Sequence, residues 1–93
     1  MKVTLNFEGI PVLYRVLNKK KEFEFDFPGT TLRELTQSLV RKFGQPISKA
    51  ILDGNGDVDF EIRVVVNNGT YLTESRMESA LNEGDMVAFK GAS

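Results

Sequence analysis

The first residues alternate strictly between apolar and polar. Val3, Leu5 and Phe7 fall on one side of an extended chain, with Lys2, Thr4, Asn6 and Glu8 on the other. That period of two predicts a strand with one buried face. After Gly9-Ile10-Pro11 the alternation lapses, and Val12 to Asn18 reads as an extended loop anchored by Leu13 and Val16. It returns at Phe23, Phe25 and Phe27, interleaved with Glu22, Glu24 and Asp26, and Pro28-Gly29 closes this second strand.

The period then changes. Leu32, Leu35, Leu39, Val40 and Phe43 form one apolar stripe at helical spacing. Thr31-Leu32-Arg33-Glu34 before it has the spacing of a capping box, in which hydroxyl and carboxylate each satisfy a free helix amide. Gly44 suits the left-handed position after the last turn, and Pro46 is expected to prevent continuation. Ile47 to Leu52 fits a turn of helix without requiring one, and Asp53-Gly54-Asn55-Gly56-Asp57 is expected to be a flexible loop.

Phe60, Ile62, Val64 and Val66 alternate with Glu61, Arg63 and Val65, and the run Val64-Val65-Val66 suggests a strand inside a sheet. Asn68-Gly69 is a two-residue hairpin pattern that returns the chain through Thr70-Tyr71-Leu72. Thr73 to Leu81 reads as irregular or briefly helical, and Gly84-Asp85 launches a final strand over Met86 to Lys90. With the first two strands as a hairpin and the helix crossing over, the third strand is expected beside the first. The fold class is then α+β, a β-grasp (ubiquitin-like) domain with a mixed four- to five-stranded sheet packed on one main helix. Residues 1–90 form this single domain, and 91–93 a flexible C-terminal tail.

Composition narrows the chemistry more than the fold. The 93 residues hold a single core, to which seven Phe and no Trp contribute phenyl rings. There is no Cys and no His, which removes thiolate nucleophiles, zinc ribbons, iron–sulfur clusters and the usual proton shuttle. No active site is expected, so the protein is not read as an enzyme. No cofactor or metal is expected either. A net charge of −1 offers no general attraction to nucleic acid or an anionic membrane. No apolar run approaches the roughly 18 residues of a membrane span. The N-terminus lacks the apolar stretch of a secretory signal, so the reading is cytoplasmic.

Four stretches, in order, resemble the small sulfur-carrier family, which includes the molybdopterin-synthase small subunit and the thiamine sulfur carrier. They are Lys2 to Phe7, Phe27 to Leu35, Val64 to Gly69, and Leu81-Asn82-Glu83-Gly84-Asp85-Met86-Val87. The resemblance implies a protein partner, either an adenylating enzyme or a synthase large subunit. It also implies that the C-terminal tail Gly91, Ala92 and Ser93 is presented to that partner. Carriers of this family end in Gly-Gly, because a narrow cleft must admit bare backbone. Here Ala92 adds a methyl and Ser93 a hydroxymethyl. Two functions therefore stand side by side: a carrier whose partner accepts the altered tail, and a non-catalytic interaction module whose tail is inert.

Alternation also defines a face turned away from the core. It carries Glu22, Glu24 and Asp26, and an apolar island of Val65, Met86 and Ala88 beside Lys90. An apolar centre with a charged rim is the form of a modest docking surface, so Val65, Met86, Ala88 and Lys90 are the expected partner contacts. Other motifs lead nowhere. Asp53 to Asp59 begins with calcium-loop spacing, but Val58 stands where the loop needs Gly and Val64 where it needs Glu. Lys19-Lys20-Lys21 reads as a solvated loop.

Overall fold

A computed structural model describes residues 1–17, 21–73 and 75–91. The elements are β1 (Lys2–Glu8), α1 (Pro11–Val16), β2 (Glu22–Asp26), α2 (Leu32–Phe43), α3 (Gln45–Ile51), β3 (Arg63–Val66), β4 (Thr70–Leu72) and β5 (Met86–Lys90), with a 3₁₀ turn at Arg76–Glu78. The five strands form one mixed sheet in the order β2-β1-β5-β3-β4. β1 pairs antiparallel with β2 and parallel with β5, with Leu5 opposite Val87. β5 in turn pairs antiparallel with β3, where Val64 faces Phe89. This corrects the expected neighbour of the first strand: the last strand lies there, with the third beyond it.

The alternating residues do what their period requires. Val3, Leu5, Phe7, Val64, Val87 and Phe89 are buried on the inner face, against Leu32, Leu35 and Leu39 of α2 and Ile47 and Ile51 of α3. The phenyl rings fill the β2 end of this layer. Phe7 stacks on Phe89 with centroids 5.1 Å apart, and Phe23 meets Phe43 of α2 edge-on at 6.0 Å. Such pairs add about 0.5–1.5 kcal/mol beyond the area they bury.

The capping box forms as its spacing predicts. The Glu34 amide donates to Thr31 Oγ1 at 3.3 Å, and the Glu34 carboxylate accepts from the Thr30 and Thr31 amides at 3.0 and 3.2 Å. The Thr30 amide first, and the Thr31 hydroxyl next, hold the Glu34 carboxyl below its ordinary value of 4.5. At the other end Gly44 has φ +87° and ψ −166°, a conformation open essentially to glycine alone.

Two local expectations need correction and one needs extension. Residues 11–16 are a helix rather than a loop, because Pro11 supplies a preset first turn and Leu13 is buried beneath it. α2 does stop at Phe43, as expected, but Pro46 also lies in the first turn of a separate helix, α3, where its missing N–H costs nothing. The β3–β4 turn spans Asn67, Asn68 and Gly69, and the left-handed residues are Asn67 (φ 53°) and Asn68 (φ 61°). Asparagine tolerates that region through local hydrogen bonding.

The segment between α3 and β3 is pinned from outside. The Arg76 guanidinium donates to the carbonyl oxygens of Val58, Asp59 and Ile62 at 2.6, 3.1 and 2.6 Å. Val58 and Ile62 are buried, while Phe60 between them is 87% exposed. The strand starts only at Arg63, so Phe60 escapes the inner face that simple alternation gives it.

Candidate functional site

The position from which the chain leaves its last strand is set by β1. β5 runs parallel to β1 in the interior of the sheet, and the ladder extends past its last pair, Glu8 opposite Lys90. The Gly91 amide donates to the Glu8 carbonyl at 2.8 Å, and Lys90 Nζ lies 3.5 Å from Glu8 Oε2. Gly9, at φ +68°, turns the chain away from β1 beneath Gly91. The two glycines touch backbone to backbone. A Cβ on Gly91 would fall on the Gly9 carbonyl oxygen and lie 3.1 Å from Ile10 Cγ1. Gly91 is therefore seated in the body rather than free of it, and the need for glycine there is internal. Ala92 and Ser93 lie outside the described residues.

The outer face of the sheet can be read row by row from the register. Asn6, Ala88, Val65 and Tyr71 follow one another across β1, β5, β3 and β4. Thr4 and Met86 make the next row toward the start of β1, and Glu8, Lys90 and Arg63 the row at the chain exit. The four expected partner contacts thus share one face, but not one depth. Val65 is 2% exposed and Ala88 4%, so neither stands out to be touched, contrary to expectation. Neither belongs to the helix-side core. They form the floor of the outer face, with Met86 and Lys90 partly exposed beside them.

Sequence reasoning missed Tyr71 on this surface, and placed Asn6 there without giving it a part. Tyr71 is 55% exposed and completes the central row opposite Val65. Only the hairpin register reveals this, and the register depends on the turn length. Asn6 donates from Nδ2 to Glu22 Oε1 at 3.3 Å, while its Oδ1 is buried and accepts from no described group. A buried acceptor left unpaired is costly and uncommon.

On the other side of the exit lies the α1 corner. A hollow of about 360 Å³ opens there, lined by Phe7, Gly9, Ile10, Tyr14, Leu17 and Lys21 among others. Among the described residues no group of three His, Cys, Asp or Glu could hold a metal ion, and no helix is long and apolar enough to cross a membrane.

Neither a protein-family model nor a curated protein matches the sequence. Solved structures do match. A chain of the BexX/CysO complex from Amycolatopsis orientalis superposes with TM-score 0.77 at 17% identity, over 98% of this chain and 96% of that one. Urm1 from Trypanosoma brucei gives 0.75 at 27% identity, over 99% and 92%. A putative molybdopterin converting factor, subunit 1, from Pyrococcus furiosus gives 0.67 at 18% identity, over 100% and 99%. By fold, the chain is a ubiquitin-like β-grasp protein of the kind represented by the sulfur carriers that it resembles.

Proposed function

We propose that this protein docks through the outer face of its sheet on an adenylating or synthase-type enzyme and presents Gly91, Ala92 and Ser93 to that enzyme's active site. The observation that carries this reading is the exit of the chain from an interior strand, beside a face with a sunken apolar floor and a partly exposed rim. The matched structures support it, since they cover the chain almost from end to end and one is a complex. Met86, Tyr71 and Lys90 are the contacts expected to reach the partner. Val65 and Ala88 shape the surface from below, and a donor from the partner would satisfy Asn6 Oδ1.

The chemistry belongs to the partner and to the terminal carboxylate. In the activating step a carboxylate oxygen attacks the α-phosphorus of ATP and pyrophosphate leaves, giving an acyl adenylate. Hydrosulfide then attacks the acyl carbon, the acyl–phosphate oxygen bond breaks with departure of AMP, and loss of the sulfur's proton leaves a thiocarboxylate. The body of this protein supplies position, not catalysis, which agrees with a composition lacking Cys and His.

A second reading has its own support. Ala92 and Ser93 replace the family's Gly-Gly, and Gly91 is explained by its seat on Gly9. Under that reading the protein is an interaction module whose tail takes no part in chemistry. Intact-mass measurement separates the two, after the full chain is incubated with the host's adenylating enzyme, ATP and a sulfur donor. A product with one carboxyl oxygen replaced by sulfur supports the carrier. A stable complex with unchanged mass supports the module, and no complex at all removes both.

A further inference from the structure

We infer that the α1 corner is a second protein-binding surface, which takes an apolar side chain of the partner flanked by carboxylates. The inference rests on the proposed function, because the partner meant is the enzyme that handles the chain end. It adds a contact region on the opposite side of the exit from the sheet's outer face.

Four observations converge on this corner. First, Val12 is 56% exposed and Tyr14 45%, and both belong to a helix of only 6 residues. Isolated exposed apolar side chains are ordinary, but two on an element of 6 residues, each at the edge of its own hollow, are not. Second, apolar hollows lie on either side of them. One is the hollow of about 360 Å³ over Phe7 and Leu17, and the other, of about 490 Å³, is bordered by Val12, Pro46, Lys49 and Ala50. An incoming side chain has somewhere to go.

Third, the corner adjoins the exit. α1 begins two residues after Gly9, which carries Gly91, and Ile10 touches the same glycine. An enzyme closing over the chain end meets α1 within one residue's width of it. Fourth, the charge is one-sided. The charged residues lining the two hollows are Lys21 and Lys49, no acidic residue occupies the first turn of α1, and Arg15 lies in its last turn. β2, by contrast, exposes Glu22, Glu24 and Asp26. The complementary surface is therefore apolar at its centre and acidic at its rim.

The test uses the full chain and the host's adenylating enzyme, with affinity measured by calorimetry. Val12→Ser with Tyr14→Ser should weaken binding about tenfold or more, as loss of central apolar contacts does. The melting temperature should fall little, since Val12 is 56% exposed and Tyr14 45%. Lys49→Glu should weaken binding as well, and by less at high salt. Hydrogen exchange on the unaltered complex gives a readout free of any variant: amides of residues 10–17 should gain protection on binding. Wild-type affinity in the double variant, with no protection at 10–17, would overturn the inference while leaving the proposed function standing. Failure of the unaltered chain to bind the enzyme would remove both. Retention of the free chain on anionic phospholipid vesicles, with no protection in the complex, would assign the corner to a lipid surface and overturn it too.

Discussion

Replacing Gly91 by Ala tests whether the last glycine serves the body or only the tail. The added Cβ would land on the Gly9 carbonyl oxygen, 3.0 Å from the Gly9 carbonyl carbon and 3.1 Å from Ile10 Cγ1. Two responses are open. The corner can deform to hold residue 91 in place, at the roughly 1–3 kcal/mol typical of overpacking. Or residue 91 can swing away and break the 2.8 Å bond from its amide to the Glu8 carbonyl, which costs about 0.5–1.5 kcal/mol. The second route is the cheaper, so it sets the expected loss at about 1 kcal/mol. The usual gain from Gly→Ala, made by restricting the unfolded chain, does not offset this. A released residue is equally free in both states. For a domain of this size 1 kcal/mol lowers the melting temperature by about 4–8 °C. Calorimetric melting of Gly91→Ala beside the wild type provides the comparison. Exchange of the residue-91 amide should also accelerate. If Gly91→Ala melts with the wild type and that amide stays protected, the packing argument fails. Gly91 would then matter only to a partner.

Further outcomes follow from other parts of the structure. Thr31→Ala removes the hydroxyl half of the capping box and should cost about 1 kcal/mol in urea denaturation. The Glu34 carboxyl is held below its ordinary value, so its share of stability is complete above about pH 4.5 and lost as pH falls through the lower, folded value. Acid titration of Glu34→Gln should accordingly show a smaller loss below pH 4.5 than the parent. Arg76→Ala strips three carbonyls of a charged donor and should cost about 2–3 kcal/mol, read as a lower urea midpoint. Phe60→Ser should leave stability within about 0.5 kcal/mol, because the ring is already in water.

How far the sequence could be read depended on how local the determining physics was. β1, α2 and β5 were legible because each announces itself within a few residues: strict alternation, a Thr-x-x-Glu cap, a Gly-Asp turn. Their boundaries follow the pattern closely. α1 was not legible, since six residues give less than two turns of periodicity and its N-cap, Ile10, makes no side-chain cap. Pro46 was read only in part, because proline disfavours the middle of one helix and also favours the first turn of the next. Only the sharp bend at Gly44 decides between them. Strand order is still less local. Nothing in β3 or β5 alone says which of them pairs with β1, and burial of both faces of Val64-Val65-Val66 suits either place.

The candidate surface shows the same limit. Alternation correctly put Val65, Met86, Ala88 and Lys90 on one face, because parity along a strand is a property of the backbone. It said nothing of depth. Ala88 is short and Val65 lies between two other strands, so both sink beneath longer neighbours, and the residues that stand proud include Tyr71 from a strand only three residues long. Gly91 misled in the opposite sense. Read as the last remnant of a tail pattern, it is fixed by a contact with Gly9, some eighty positions earlier in the chain.

The parallel pairing of β1 with β5 has a bearing on biosynthesis. Residues 2–8 emerge from the ribosome about eighty positions ahead of residues 86–90, their neighbour on one side. Until then β1 and β3 each keep an unsatisfied edge, and the sheet lacks its middle. Closure of the sheet therefore waits on the synthesis of β5, and a product truncated before Met86 is left with two open edges in place of a domain.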